Sequence, residues 1–446
     1  MDRRNFLRKS SASVALIGGQ DLITSAIELR RDPPQTEKTD TYEVRAYEAP
    51  SWLRYTRTVC FDGYGPPVYP HMKGFDAKRL VQAASELGGN MLRSQPIGYW
   101  AYYPSKVFPV HPELDGRDLI DEVTQACRPL GIHHYCYCPY GHLWLEVNWV
   151  KQHPQYARWA LRGPDGKIYG SRWHVGWALQ QKICTTGDAY REAIRVVVRE
   201  LCEHDIAGVY FDHPSTLMTG ICFCESCRKN FQKFSGMDLE RLSGFVKKYT
   251  PNGWPVDWTR LPASVDMEPL IAWFRWVNEL TNEDLLDFRK IIHGSGRFML
   301  CHNGNTWTGT SLVRQYRIPD GFMDEAIPEI YQRVVRGLLN ASMARSYKKL
   351  TQIYMGSYAL TWFGEPPNEK PWVINETNLE DGDEVRMEGF TNLACGNAPI
   401  YAVANRLYYG VGSGSAEPAK EVFEVMKRVE GIHKDSVPVA YVSIVP

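Results

Sequence analysis

Along most of the chain, short apolar runs alternate with stretches whose apolar residues recur at i, i+3 and i+4. That is the pattern of strands interleaved with helices in a parallel sheet. Residues 57–61 read as a first strand. Asp76 caps a helix with Leu80, Val81, Ala84 and Leu87 on one face, and Gly88-Gly89 stops it. Residues 90–95 form a second strand. Leu119, Ile120, Val123, Cys127 and Leu130 mark a second helix that ends at Gly131, and residues 133–138 form a third strand. A long aromatic insertion from Trp144 to about Cys184 follows. It leads into a helix through Tyr190, Ala193, Ile194, Val197 and Leu201, and then a fourth strand at 208–212.

In the second half a long helical stretch, 267–292, precedes strands at 297–301 and 321–324. Ile330, Val334, Val335, Leu338 and Leu339 lie on one helix face; 351–358 is a strand, 384–394 a helix and 399–403 a last strand. Eight strands with helices between most of them predict an α/β fold, a (β/α)8 barrel over residues 41–433. A terminal helix at 422–433 leads into 437–445. That segment reads as a fresh strand, so residues 434–446 are expected to open a further C-terminal domain.

Composition narrows the partners. Lys plus Arg, 51, balance Asp plus Glu, 51, so the chain lacks the basic surface that nucleic acid or an anionic membrane demands. With 44% hydrophobic and 23% charged residues it is an ordinary globular chain, which excludes wholesale disorder. The 14 Trp and 25 Tyr offer flat faces with polar edges that suit stacking on sugars as well as core packing. At the start, Arg3-Arg4-Asn5-Phe6-Leu7-Arg8-Lys9 precedes a weakly apolar run to Gly19, which resembles a twin-arginine export signal. The run is shorter than the ~20 apolar residues of a membrane span. Residues 1–40 are therefore expected to be a signal peptide and disordered lead-in, and the protein periplasmic or secreted. Export of already folded proteins by that route lets a metal be loaded in the cytoplasm.

Of 11 Cys, three stand in Cys222-Phe223-Cys224-Glu225-Ser226-Cys227, and Cys184 lies upstream. Thiolates packed this closely repel unless a cation compensates, and four sulfur ligands suit tetrahedral Zn²⁺. A set closed by four thiolates is structural rather than catalytic. Disulfides are the alternative in an exported protein, although such short spacings make strained bridges. Cys60, Cys136, Cys138 and Cys301 fall in strands and read as buried thiols.

An upstream Cys, a strand ending in an acid, and C-x-C-x2-C followed by Phe231 are together similar to the zinc site of the family 42 β-galactosidases. His153-Pro154-Gln155-Tyr156-Ala157-Arg158-Trp159, followed by Gly163-Pro164-Asp165-Gly166-Lys167, resembles a stretch of the same superfamily and of the hypothetical glycosyl hydrolase family 6 group. The likeness runs over about residues 50 to 430 and is strongest over 150–231. It implies a (β/α)8 glycosidase with a zinc on Cys184, Cys222, Cys224 and Cys227. It also implies a flavodoxin-like trimerisation domain after residue 433, with which a homo-oligomer is compatible. One departure matters. Family 42 enzymes carry Asp-Asn-Glu at the end of the fourth strand, with the Glu as acid/base, whereas this chain has Asp212-His213-Pro214. Tyr210-Phe211-Asp212 is more similar to the family 29 α-L-fucosidases, in which the strand-four Asp is the nucleophile.

Glycoside hydrolysis needs two carboxyl groups flanking an oxocarbenium-like transition state, and in a barrel they stand at strand C-termini. Asp212 ends the fourth strand. Asp324-Glu325 ends the sixth, and alternation lets only one of that pair face the mouth. Glu325, with the longer reach, is the preferred acid/base; Asp62 and Glu365 stand in reserve. His142, His213, His302 and Asn303 lie at strand ends or in the loops after them and suit sugar hydroxyls. Trp144, Trp173 and Trp177 could supply a stacking platform. Three readings follow: an exported glycoside hydrolase acting on a glycan terminus, a non-catalytic carbohydrate-binding barrel, and a thiol redox protein built on Cys222, Cys224 and Cys227.

Overall fold

The computed structural model describes residues 48–61, 75–98, 100–140, 144–146, 152–168, 170–171, 180–212, 220–249, 264–302, 317–324, 349–355, 382–402 and 416–434. The expected signal segment, the helix through Ile330 to Leu339 and the strand at 437–445 lie outside them.

Eight parallel strands close into a barrel: β1 (Thr58–Phe61), β2 (Met91–Ser94), β3 (His133–Cys138), β4 (Gly208–Phe211), β5 (Phe298–His302), β6 (Gly321–Asp324), β7 (Leu350–Met355) and β8 (Ala398–Ala402). Each pairs with its neighbours in chain order, and β8 returns to β1 with Ile400 opposite Thr58 and Tyr401 opposite Val59. All eight strands expected from the apolar runs are present. Helices α1 (Ala77–Glu86), α2 (Leu119–Cys127), α3 (Asp188–Glu203), α4 (Glu225–Ser235), α5 (Ser243–Tyr249), α6 (Glu268–Gly294), α7 (Gly382–Ala394) and α8 (Ala416–Lys434) accompany them. The fold is a (β/α)8 barrel.

Local chemistry sets the boundaries. Asp76 caps α1 by accepting from the amides of Lys78 and Arg79 at 2.9 and 3.2 Å, and Gly88 follows the helix at φ +85°. Asp118 caps α2 in the same way through Ile120 and Asp121. Within the aromatic insertion Trp144–Glu146, Gln180–Lys182 and Gly170–Ser171 make a small antiparallel sheet. Helices α4 and α5 escape the apolar-periodicity reading because α4 is largely polar and buries only Cys227 and Phe231.

Three arrangements fix the barrel's surroundings. At the N-terminal end Trp52 stacks on His133, with ring centroids 3.6 Å apart and planes within 2°, and meets the Phe298 ring edge-on. Asp284 of α6, fully buried, accepts from Tyr140 at 2.7 Å, from both Nε and Nη2 of Arg191 at 2.7 and 2.8 Å, and from Arg195 at 2.6 Å. A carboxylate out of water needs this many charged and neutral donors. It locks α3, α6 and the segment after β3 together. His134 of β3 lies between Ser94 of β2 (2.7 Å) and Thr124 of α2 (2.8 Å), uncharged partners on both ring nitrogens.

Burial, with a smaller contribution from His204, pushes the His134 pKa from 6.5 down to about 3. In that window the unfolded chain takes up a proton there that the folded chain refuses. Stability is therefore lost as pH falls, by about 1.4 kcal/mol per unit. Urea unfolding across about pH 7 to 4 should show this slope in wild type and a flatter one in His134→Gln; equal slopes would contradict it.

Candidate functional site

Asp212 is the first residue past β4, and its N–H donates to the Cys138 carbonyl at 3.3 Å, extending the β3–β4 ladder to the C-terminal rim. Its side chain is buried, the residue 2% exposed. The Tyr137 hydroxyl donates to Oδ2 at 2.6 Å and the Tyr210 hydroxyl to Oδ1 at 3.3 Å. Each carboxylate oxygen is thus oriented by one phenol, Tyr137 from the neighbouring strand β3 and Tyr210 from β4 itself. Below them, buried Arg93 of β2 sets its guanidinium 4.7 Å from the Tyr210 ring centroid and 5.9 Å from that of Tyr137. A cation on these ring faces polarises the hydroxyls that hold Asp212. The arrangement fixes a carboxylate where the active sites of this fold form. Chemically it can attack, or stabilise, an electron-poor carbon.

Of the other expected site residues, Asp324 and His302 close β6 and β5 at the same rim, and Trp144 opens the small sheet of the insertion. Their side chains lie outside the description. So do Glu325, His142, Trp177, His213 and Asn303, together with Asp62, Trp173 and Glu365. Tyr137, Tyr210 and Arg93 were not anticipated. Their one signal was parity: Tyr137, like Tyr210 and Asp212, alternates onto the interior face of its strand.

The four expected cysteines converge. The sulfurs of Cys184, Cys222, Cys224 and Cys227 all lie within 4.8 Å of one another, with Cys184 3.3 Å from Cys227 and 3.9 Å from Cys224. Four thiolates on a tetrahedral ion with bonds of about 2.3 Å sit about 3.8 Å apart, so the set matches a closed four-sulfur metal site. All four are free thiols in this structure. Backbone amides of Arg162 and Cys224 point at the Cys222 sulfur (3.3 and 3.4 Å), and Thr186 Oγ1 lies 3.1 Å from Cys227 and 3.4 Å from Cys184. Hydrogen bonding from Cys184, Cys222 and Cys227 drives the Cys224 thiol far down. Cys184 is driven up, first by its bond with Cys222, and Cys227 is driven up, first by burial. The group by itself stabilises one thiolate; a cation is what would stabilise four.

Sequence position explains the convergence. Cys184 precedes α3, Cys222 and Cys224 precede α4, and Cys227 sits in the first turn of α4, so the centre joins two helix N-termini on the rim side. Leu161, Phe223, Phe231, Trp273 and Trp276 enclose it in an apolar cluster. Cys60, Cys136, Cys138 and Cys301 are buried strand thiols, as expected. A second group, Asp118, Asp121 and His204, is an exposed-to-intermediate set in which Asp118 caps α2 and accepts from His204.

The fold and rim geometry are those of the (β/α)8 barrels. No protein-family model matches the chain and no curated protein is similar to it. Among solved structures it is similar to α-L-fucosidase isoenzyme 2 from Paenibacillus thiaminolyticus, at 15% identity and a TM-score of 0.59, covering 86% of this chain and 51% of that one. It is also similar to a β-galactosidase from Bacillus circulans sp. alkalophilus, at 11% identity and a TM-score of 0.55, covering 85% and 57%. The chain spans about half the length of these structures, and the likeness is one of fold.

The cysteine centre makes a direct prediction. Titration with Co²⁺ should give thiolate-to-metal charge-transfer absorption saturating at one ion per chain in wild type and none in Cys227→Ser, with a lower thermal midpoint for the variant. Equal spectra for both would remove Cys227 from the ligand set.

Proposed function

We propose that the protein is a glycoside hydrolase that removes a terminal sugar, fucosidase- or galactosidase-like, from a glycan. The observation that carries this is the Asp212 carboxylate, buried at the C-terminal end of β4 with one tyrosine hydroxyl on each oxygen. The fold it shares with a fucosidase and a β-galactosidase supports the reaction class. In this reading Asp212 attacks the anomeric carbon, or faces its developing positive charge, and Glu325 protonates the departing oxygen, with Asp324 as the other candidate. A carboxyl separation of about 5–5.5 Å goes with retention and about 6.5–9.5 Å with inversion. His142, Trp144, Trp177, His213, His302 and Asn303 would line the sugar site.

Zn²⁺ is the ion that best suits four clustered thiolates. Held by Cys184, Cys222, Cys224 and Cys227 it would have no open position, and so would brace the rim and take no part in bond cleavage. The start Arg3-Arg4-Asn5-Phe6-Leu7 supports export to the periplasm or beyond. A second reading, a non-catalytic carbohydrate-binding barrel, draws support from the His213-Pro214 pair standing where family 42 enzymes carry their acid/base.

Aryl glycosides of fucose and galactose separate the two. The hydrolase reading expects turnover by wild type and a loss in kcat of about a thousandfold, roughly 4 kcal/mol of barrier, in Asp212→Asn. Equal turnover in both would take Asp212 out of the reaction; glycan binding with no turnover in either would favour the binding barrel.

A further inference from the structure

Inside a barrel of this class side chains fill layers of four, contributed by alternate strands. Arg93 of β2, Tyr210 of β4 and Met323 of β6 belong to one such layer. The guanidinium lies 4.7 Å from the Tyr210 ring centroid, and the Tyr210 hydroxyl lies 3.9 Å from the Met323 sulfur. Two residues further along β2 and β4 come Gln95 and Asp212. Ser94 between Arg93 and Gln95 faces outward, its hydroxyl 2.7 Å from the ring of His134, which in turn meets Thr124 of α2. Alternation therefore returns Gln95 to the interior, in the layer of Asp212 and nearer the rim than Arg93.

Gln95 is 2% exposed, and among the described residues neither its amide oxygen nor its amide nitrogen has a hydrogen-bond partner. Roughly nine in ten buried polar groups are paired, and each unpaired one costs about 1–3 kcal/mol. A glutamine is an expensive way to fill this space unless something brings both partners. A carboxamide offers an acceptor and donors side by side, which matches two neighbouring hydroxyls of a sugar ring. We propose that Gln95 is a substrate-binding residue whose amide accepts from one hydroxyl and donates to the next, holding the ring against Asp212. The ligand class, a pyranose with a vicinal hydroxyl pair, rests on the glycosidase reading. A trapped water between Gln95 and Asp212 is the competing occupant.

The test uses the full chain and galacto- and fuco-configured iminosugars, whose ring nitrogen pairs with a carboxylate whether or not any substrate turns over. Calorimetric titration should give tenfold to hundredfold weaker binding in Gln95→Met than in wild type, and partial recovery in Gln95→Asn. An iminosugar lacking the recognised hydroxyl should bind wild type and Gln95→Met alike. The unliganded Gln95→Met protein should melt at or above the wild-type temperature, because an unpaired amide has been replaced by an apolar side chain of similar shape. Equal affinity of the intact iminosugars for wild type and Gln95→Met, binding of neither by wild type, or a clear drop in melting temperature would overturn the proposal. Aryl glycoside turnover on the same preparations reports on the hydrolase separately. Gln95-dependent affinity without turnover keeps this site and removes the hydrolysis, and the reverse outcome does the opposite.

Discussion

Pairing of the first strand with the last closes the sheet, and the geometry of the rim follows from that closure. Once Thr58 lies opposite Ile400 and Met91 alike, every strand has two neighbours and no edge remains in the barrel. Interior side chains must then meet across a fixed space. In this barrel that space holds Arg93, Tyr137, Tyr210 and Gln352 as well as apolar groups, where bulky branched residues are the usual filling. The side chains that fill the interior therefore also orient the Asp212 carboxylate. Packing and positioning are one arrangement.

The rim is braced by chemistry rather than by hydrophobic contact alone. Asp284 ties α3 to α6 through two arginines and reaches the segment after β3 through Tyr140. The cysteine centre ties the start of α3 to the start of α4. Both fasten helix α3, which begins at the end of the barrel where Asp212 sits. The opposite end needs no such rigidity for a reaction and is stoppered by Trp52 against His133.

The strand positions were legible because parallel strands buried on both faces read as short apolar runs, and helices such as α1 announce themselves by an aspartate cap and a terminal glycine. Asp212 was legible as an acid at a strand end, and the cysteines by their spacing. What escaped is informative. Tyr137 and Tyr210 look like ordinary strand aromatics until the register sets both hydroxyls on one carboxylate. Gln95 reads only as the last residue of the second strand; its meaning depends on which way it points and on its lack of a partner among the described residues. Helix α4 was hidden because its stability comes from two buried residues and the cysteine centre, not from an apolar stripe.

The central claim is that a sugar's anomeric carbon is brought to Asp212. A crystal structure of the full chain with a fuco- or galacto-configured iminosugar tests it most directly. The account predicts the ring nitrogen within about 3 Å of an Asp212 carboxylate oxygen, at the C-terminal mouth of the barrel. An iminosugar bound away from the mouth, or at the mouth with Asp212 out of contact, would contradict it.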